Sequence, residues 1–488
     1  MPSFLSIRRP RLALFAASSL LVLVGACAPD LGPAPKLTRP EAYASSRSFE
    51  APAAAWPADD WWKAYGDPQL DGLIDEALKG SPDLREADAR VRSATGQAEQ
   101  ARSPLLPQPS ADFSTAPTRE SKEIGFPQTF KGFLPGGFHS NTRLAANLDW
   151  QIDFFGRNRA ALAAAISTAE AAKADRASAR LQLSAAVATA YAQLVQLYTD
   201  REEAIEALKV RRETLDLFSQ RLRNGLETRG AFSQQNATVP AAKGDVDRLD
   251  LQIEQTRHQL AALLGQGPDR GLDIARPATP ALRPLGLPPD LAVDLIGRRP
   301  DIVAARMRAE AAAQREKEAK LDFYPNVSLT GYYGAQSLDI GSLFNRDANI
   351  GSIGPAIHLP NFIGGPQLRG AYRGARGEYE ASVAEYDKTL ANALREVADA
   401  ISSQRSLATQ ITDARASLAA SEDAWQAAQA RYKGGLSPYL NVLTAENEVL
   451  QARRTLADLD GQALSLDVAL VRALGGGFQA ADLKTASR

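Results

Sequence analysis

Side chains that could form a metal centre or a catalytic centre are sparse in this sequence. The three histidines, His139, His258 and His358, are far apart along the chain and near no second metal ligand, so neither a zinc site nor a histidine-based catalytic site is expected. There is no glycine-rich phosphate loop and no nucleophile motif. Lys+Arg 56 against Asp+Glu 57 give a net charge of -1, which argues against nucleic-acid binding. The sequence therefore predicts no enzyme, no metal and no nucleic-acid partner.

The single cysteine, Cys27, is the residue whose surroundings predict a chemical modification. A basic segment precedes an apolar run from Leu12 to Ala26, which is typical of an export signal and too short for a comfortable membrane span. The run ends in "LVGAC". Residues 1–26 are therefore predicted to be a bacterial lipoprotein signal peptide, with a covalent lipid on Cys27 as the anchor and no other cofactor. The alternative is an ordinary signal peptide with an incidental cysteine.

Two similar short breaks interrupt long segments of mixed polar and apolar residues. "RLRNGL" ends at Leu226 and "RYKGGL" ends at Leu436. A Leu-Gly pair follows each break at the same distance, beginning at Leu264 and at Leu474. Other landmarks, such as "SPDLREADAR" and "RPDIVAARMR", recur in the same order. The chain is therefore predicted to be a tandem duplication in which each half contains a helix, two strands and two further helices.

The segments beside the breaks are predicted to be unusually long helices. No proline interrupts the stretch from Gln367 to Lys433, which corresponds to a helix on the order of 100 Å long. Its apolar positions mostly step by three or four residues, as in a coiled-coil seam, so the helix needs partner helices. The seam positions are Leu390, Leu394, Val397, Ile401, Ala408, Ile411, Ala414, Leu418 and Trp425.

Each break is predicted to be the tip of an antiparallel helical hairpin. Gly434 and Gly435 allow the first helix to end, and Pro438 suits the first turn of the next helix. The first half repeats this arrangement, with a return helix that Pro240 and Gly244 are expected to perturb.

Alternation of apolar and polar residues from Thr142 to Phe154 predicts a strand with two different faces. "TRLAANLDWQIDF" places leucine, tryptophan, isoleucine and phenylalanine on one face and arginine, asparagine and aspartate on the other. This is typical of a lipid-facing barrel strand, although a soluble sheet with one buried face has the same pattern. Weaker strands are predicted at Asp112 to Thr118, in "NVSLTGYYG" and in "NIGSIGPAIHL". Four strands cannot close a barrel, so closure calls for several chains, most simply in a symmetric ring.

Six longer stretches distributed along the mature chain carry a family resemblance. They are "WWKAYGDPQLDGLIDEAL" from Trp61, "LDWQIDFFGRNRAAL" from Leu148, "LPPDLAVDLIGRRPDIVAAR" from Leu287, "DFYPNVSLTGYYG" from Asp322, "EYDKTLANALREVADAI" from Glu385 and "RYKGGLSPYLNVLTAENEVLQAR" from Arg431. Together they resemble the TolC-like outer-membrane efflux proteins, specifically the lipoprotein members of the NodT type. The resemblance covers the mature chain end to end.

The resemblance implies a mainly α-helical chain with a membrane β-barrel portion. A homotrimer would close a 12-stranded barrel in the outer membrane, with four strands per chain, and a tunnel of long helical hairpins, an α-barrel, would extend into the periplasm. The chain would be a passive, gated conduit that exports drugs or other small molecules. The partners that the resemblance implies are a periplasmic adaptor (membrane fusion) protein and an inner-membrane pump of the RND type.

The resemblance also implies a constriction at the periplasmic end of the tunnel. Relatives carry acidic side chains near the second hairpin, and the matching positions are Leu418, Glu422, Asp423 and Gln426. The helical seam leads to the same place, because a step of four residues from Leu418 reaches Glu422. A carboxylate is unfavourable in a dry seam and less so in a water-lined constriction. The alternative is a drifting seam that leaves Glu422 in solvent.

Adaptor docking is the role that the resemblance implies for the hairpin tips. Turn chemistry alone explains the glycines, but an exposed leucine at each tip suits docking. After the first tip, "TRGAFSQQNATVP" departs from the acidic and aliphatic residues usual in relatives, so a salt-bridge lock between the hairpins is in doubt. The predicted tip residues are Asn224, Gly225, Leu226, Gly434, Gly435 and Leu436.

The sequence divides into six predicted segments. They are a signal peptide (1–26), an N-terminal anchor and equatorial segment (27–70), a first structural repeat (71–265), an equatorial linker (266–290), a second structural repeat (291–475) and a C-terminal tail (476–488). A periplasmic coiled-coil adaptor or structural lipoprotein is the alternative, which the alternating strand segments disfavour. Within the channel class, a type I protein-secretion conduit has a similar composition.

Overall fold

The structure, a computed structural model, describes residues 28–119, 121, 136–278, 286–289, 291–359 and 365–481. The predicted signal peptide and Cys27 lie outside these residues. Among the described helices, none has the length and apolar character that a membrane-spanning helix requires. The elements are α1 (Pro68–Gly80), α2 (Pro82–Arg102), β1 (Gln108–Thr118), β2 (His139–Ile152), α3 (Arg157–Arg223), α4 (Arg229–Leu263), α5 (Asp269–Leu272), α6 (Leu291–Arg298), α7 (Pro300–Leu321), β3 (Asn326–Ser337), β4 (Asn349–His358), α8 (Gly365–Lys433) and α9 (Tyr439–Ala473).

The order of elements confirms the tandem duplication. Each half contains a short helix, a helix, two strands, a very long helix and a return helix. The short first helix of each half, α1 or α6, adds to the predicted pattern. The long helix α8 begins two residues before the predicted start and ends at Lys433 as predicted.

The first return helix was predicted to be perturbed by Pro240 and Gly244, and this prediction is wrong because the helix is continuous. The helix α4 runs unbroken from Arg229 to Leu263, with Pro240 inside it. Proline removes one main-chain hydrogen bond, but the buried residues Gln235, Leu249 and Ile253 fix the helix on both sides of it. Tertiary packing therefore overrides the local helix-breaking tendency.

The return helices end in the same way in both halves. Gly265 and Gly475 follow α4 and α9 in the left-handed conformation, with φ of 72° and 91°. A Cβ atom at Gly265 would lie 2.7 Å from the carbonyl oxygen of Gly80, and one at Gly475 would lie 2.0 Å from that of Arg298. Glycine is therefore required at both positions, because each return helix ends against the end of the short first helix of its own repeat.

The described chain consists of two compact units. The first contains residues up to 36, 92–170 and 306–384, and the second contains 37–91, 171–305 and the residues from 385 onward. The first unit holds an antiparallel four-stranded sheet in the order β1-β2-β3-β4. In its register Phe113 pairs with Leu144, which pairs with Ala335, which pairs with Asn349. The predicted strands are confirmed, and β1 and β3 are longer than predicted.

The second unit holds the helical hairpins and two apolar clusters. One cluster surrounds Trp61, Trp62 and Tyr65, which precede α1, and includes residues of α3 and α4. The other joins α6, α7, α8 and α9. In the seam of α8, the buried residue beyond Ile401 is Leu407 rather than the predicted Ala408, which is exposed. The polar Gln404 lies between Ile401 and Leu407, and its side-chain Nε2 donates to the carbonyl oxygen of Leu466 at 3.3 Å.

Candidate functional site

Both hairpin tips end their first helix with the same hydrogen bonds. Gly225 and Gly435 are left-handed, with φ of 74° and 71°. The amide of the next residue, Leu226 or Leu436, donates to the carbonyl oxygen five residues earlier at 2.8 Å in each tip. This is the glycine-dependent Schellman helix end. In the second tip Pro438 precedes α9 as its N-cap instead of lying in the first turn.

The tips present apolar side chains to solvent. All six predicted tip residues are exposed. Leu226 is 61% and Leu436 is 75% exposed, and Leu440, in the first turn of α9, is 66% exposed. Leu440 was not among the predicted residues. Three large exposed leucines near the tips are more than turn formation requires, so they form a candidate docking surface.

A cluster of aromatic rings lies just behind the tips and joins the two hairpins. The ring of Tyr439 lies 4.8 Å from that of Phe218 on α3 and 4.8 Å from that of Tyr432 on α8, edge to face in both cases. The guanidinium of Arg221 lies 5.1 Å from the centre of the Tyr432 ring and forms an ion pair with Glu227 at 3.3 Å. These contacts connect α3, α8 and α9, and such aromatic pairs typically contribute about 0.5–1.5 kcal/mol each.

A buried ion pair connects the hairpins further from the tips. Arg211 Nη1 on α3 donates to Oε1 of Glu446 on α9 at 2.9 Å, and Nη2 of Arg211 donates to the side chain of Asn447. The two charged side chains are 15% and 5% exposed. Burial raises the pKa of Glu446, and the positive charge of Arg211 opposes that shift. The hairpins are therefore joined by a salt bridge that the sequence had left in doubt.

One sequence signal could have indicated this ion pair. Glu446 stands three residues before Val449, a buried apolar residue of α9, and so falls in the step of three or four residues that a helical seam follows. A carboxylate at a seam position needs a charged partner. Its partner Arg211 lies 235 residues away in sequence, so the pairing itself is not readable from local pattern.

A second polar contact between α3 and α9 places two carboxylates near each other. Gln196 Nε2 on α3 donates to Oδ1 of Asp458 on α9 at 3.5 Å, and Asp200 lies one turn after Gln196. Gly461 permits this approach, because a Cβ there would lie 2.6 Å from the Gln196 side chain. Burial and the neighbouring charge of Asp458 raise the pKa of Asp200 to about 6.

The four predicted gate residues lie in different surroundings on α8. Leu418 and Glu422 are half-buried, whereas Asp423 and Gln426 are exposed. Glu422 Oε1 accepts a hydrogen bond from Arg453 Nη2 on α9 at 2.7 Å. The seam therefore does reach Glu422, but its charge is paired within the hairpin. Asp423 has no hydrogen bond or ion pair within the described residues.

The two faces of the sheet differ completely in charge. In the register of the strands, Asp112, Arg143 and Asp149 all stand on one face, where the guanidinium of Arg143 lies 5.1 Å from the centre of the Tyr332 ring. The other face carries no Asp, Glu, Lys or Arg on any of the described strands. Its large side chains are Phe113, Leu144, Leu148, Trp150, Ile152, Val327, Leu329, Tyr333, Ile353 and Ile357.

The apolar face is open to its surroundings. Phe113, Tyr333, Ile353 and Ile357 are 57%, 69%, 73% and 65% exposed. A soluble sheet would cover such a face, so the predicted alternative of a sheet with one buried face finds no covering element among the described residues.

No group of three His, Cys, Asp or Glu side chains in the described part could hold a metal ion.

Comparison with known proteins gives consistent relatives along the whole chain. The family model described as "Outer membrane efflux protein" matches residues 73–266 and again residues 291–476. The fusaric acid resistance protein FusA of Burkholderia cepacia is 37% identical over 75% of this chain and 70% of its own length. The multidrug resistance outer membrane protein MdtP of Escherichia coli K12 is 28% identical over 96% of this chain and 97% of its own length.

A solved outer membrane protein has a similar fold. The crystal structure of the outer membrane protein VceC from Vibrio cholerae superposes with a TM-score of 0.81 and 40% sequence identity. The match covers 87% of this chain and 100% of that chain.

Proposed function

The chain belongs to the outer membrane efflux protein family, and we propose that three copies of it form one passive conduit through which an inner-membrane pump exports small molecules. It is an outer-membrane efflux channel that extends into the periplasm. In the proposal the channel itself catalyses no reaction, and the pump supplies the energy.

The observation that carries the proposal is the separation of charge between the two faces of the sheet. Asp112, Arg143 and Asp149 share one face, and the exposed apolar side chains share the other. A strand in lipid must keep its charged side chains away from the hydrocarbon. The apolar face is therefore proposed to contact lipid, and the polar face to line a water-filled interior.

Closure of the sheet is the argument for several copies. The outer edges of β1 and β4 have no strand partner within the described residues. Unpaired main-chain groups are not tolerated in hydrocarbon. In the proposed homotrimer, β1 of one copy pairs with β4 of the next, and the 12 strands close into a barrel.

We place the gate on α8 at Leu418, Glu422, Asp423 and Gln426. The exposed Asp423 supplies the carboxylate that faces the pore, and Gln426 lies beside it on the exposed side of the helix. Glu422 is held by Arg453, so its proposed role is to fix α8 against α9 behind the constriction. Three copies of Asp423 brought close together would attract cations and repel each other.

The tips are the proposed contact for the other components of the pump. Leu226, Leu436 and Leu440 are exposed and apolar, which suits a helical partner that buries them. The proposed partners are a periplasmic adaptor protein at the tips and an inner-membrane pump of the RND type. Acylation of Cys27 is proposed to anchor the chain to the outer membrane, since the preceding residues have the sequence pattern of a lipoprotein signal.

The proposed cargo is drug-like compounds and small organic acids. The names of the relatives, a fusaric acid resistance protein and a multidrug resistance protein, support this class. The test is the accumulation of a fluorescent drug and of fusaric acid in the host strain with and without the gene. Both compounds should accumulate to higher levels in the strain without the gene. Unchanged accumulation of both compounds, with the protein confirmed in the outer membrane, would argue against efflux.

A further inference from the structure

Arg376 of α8 is a buried arginine whose contacts the proposed channel function does not explain. Its side chain is 8% exposed. Nη1 donates to Oε1 of Glu316 on α7 at 2.9 Å, and Nε donates to Oε1 of Glu380 one turn along α8 at 3.2 Å. The remaining nitrogen, Nη2, donates to the main-chain carbonyl oxygens of Gly32, at 3.3 Å, and of Pro33. The segment that follows Cys27 thus completes the hydrogen bonds of a buried guanidinium.

A second side chain on the same face of α8 continues this contact. Tyr379, three residues after Arg376, donates its hydroxyl to the carbonyl oxygen of Pro35 at 3.1 Å. The segment is shaped for this, because Gly32 is left-handed (φ 77°) and its amide donates to Oδ1 of Asp30 at 2.9 Å. The prolines have no N–H group, so their carbonyl oxygens are the only main-chain groups that need partners. The N-terminal segment therefore lies along α8 in one defined position.

The contact limits where the lipid can be. Cys27 precedes Gly32 by five residues, so a fully extended chain reaches at most about 18 Å from the contact. Arg376 follows the first residue of α8, Gly365, by eleven residues, which is about 16 Å along the helix axis. The strand β4 ends shortly before that point, at His358. The reach of the five residues therefore matches the distance from Arg376 to the beginning of α8.

We propose that Arg376 and Tyr379 form a clamp that holds the segment after Cys27 on α8 and so confines the lipid anchor to the level where the strands pass into the helices. The clamp positions the anchor so that the acyl chains enter the bilayer beside the lipid-facing strands of the same chain. This inference rests on the proposed acylation of Cys27. It adds a defined intramolecular dock for the anchor segment.

Trypsin digestion of the acylated protein in outer-membrane fragments, whose periplasmic side is open to the protease, tests the clamp. Lys36 gives the first trypsin site after Cys27, and Arg39 is followed by proline, which trypsin does not cut. Release of the peptide 27–36 is followed by mass spectrometry. Cleavage after Lys36 is expected to be slow in the native protein and roughly ten-fold faster or more in R376A, because a protease needs the segment to detach first.

Two further variants separate the clamp from general misfolding. In G32V the new side chain has room, because a Cβ at Gly32 has no atom within 4 Å of it. Valine is nevertheless strained at a φ of 77°, so the variant should loosen the N-terminal segment and leave α8 unchanged. R373A removes an exposed arginine one turn earlier on α8 and should cleave at the native rate. Native cleavage rates in both R376A and G32V would overturn the clamp. The mass of the peptide reports acylation separately, so an unmodified Cys27 would disprove the anchor without affecting the cleavage result.

Discussion

Arg211 and Glu446 join the two helical hairpins through a hydrogen bond of 2.9 Å that is almost closed to solvent. One residue is in the first half of the duplicated chain and the other in the second. The aromatic rings of Phe218, Tyr432 and Tyr439 lie nearer the tips, and together with the ion pair they fix α3 against α8 and α9. Movement of the second hairpin away from the first must break these contacts. The proposed gate lies on α8 of that second hairpin.

Removal of one partner of this ion pair is expected to destabilise the helical hairpins. Arg211→Ala leaves the buried carboxylate of Glu446 without its cation, which typically costs about 3–5 kcal/mol. The measurement is thermal unfolding followed by circular dichroism. The matched control is Arg90→Ala, which breaks an exposed ion pair with Glu86 on α2 and should change stability by less than about 0.5 kcal/mol. Equal effects of the two substitutions would contradict the structural role of the buried pair.

Two neighbouring positions on β4 should differ in how well they tolerate an arginine. Ile353 is on the apolar face and Ser352 on the polar face. Ile353→Arg places a guanidinium in lipid and should cost about 2–4 kcal/mol near the bilayer midplane, whereas Ser352→Arg should be tolerated. The yield of folded protein in outer membranes measures this difference. If Ser352→Arg is the more damaging change, the assignment of the faces is reversed.

A charge at the second tip should abolish export without closing the pore. Leu436→Asp removes an exposed leucine from the proposed docking surface. Drug resistance of the host is expected to fall to that of a strain without the gene, while the conductance of the purified variant stays native. Asn441→Asp adds the same charge at an exposed polar position nearby and should leave resistance intact. Full resistance with Leu436→Asp would remove this leucine from the docking surface.

The stability of the hairpins should depend on pH through Asp200. Its pKa is raised from 3.8 to about 6 by burial and by Asp458, so the folded state binds this proton more tightly than the unfolded state. The resulting stabilisation is fully present below about pH 4 and is lost as the pH rises through about 6. Asp200→Asn cannot lose a proton. Its melting temperature should therefore decline less between pH 4 and pH 7 than that of the native protein, and equal declines would rule out Asp200 as the cause.

Local periodicity was sufficient to predict the strands and the hairpins, because each is encoded by neighbouring residues. The alternation from Thr142 to Phe154 and the repeated Gly-Leu breaks appear in the structure as β2 and as two matching helix ends. The unbroken α4 was not predicted, since the packing of Leu249 and Ile253 outweighs Pro240.

The contacts between distant helices could not be read from the sequence. The pairing of Glu422 with Arg453 depends on how α8 and α9 are rotated about their axes, and a seam that drifts by one position would change it. The same holds for Arg211 with Glu446. A carboxylate at an apolar helical position calls for a compensating group, but local periodicity does not identify that group.

The conductance of single purified channels in a planar bilayer shows directly whether the protein is a gated conduit. We expect a small, cation-preferring current for the native protein. In Asp423→Asn the current should grow and lose much of its preference, because the exposed carboxylate is removed. Glu422→Gln should alter preference less, since Arg453 already balances that charge. Absence of current from protein confirmed as inserted would contradict the conduit itself, and identical currents from native protein and Asp423→Asn would contradict the gate.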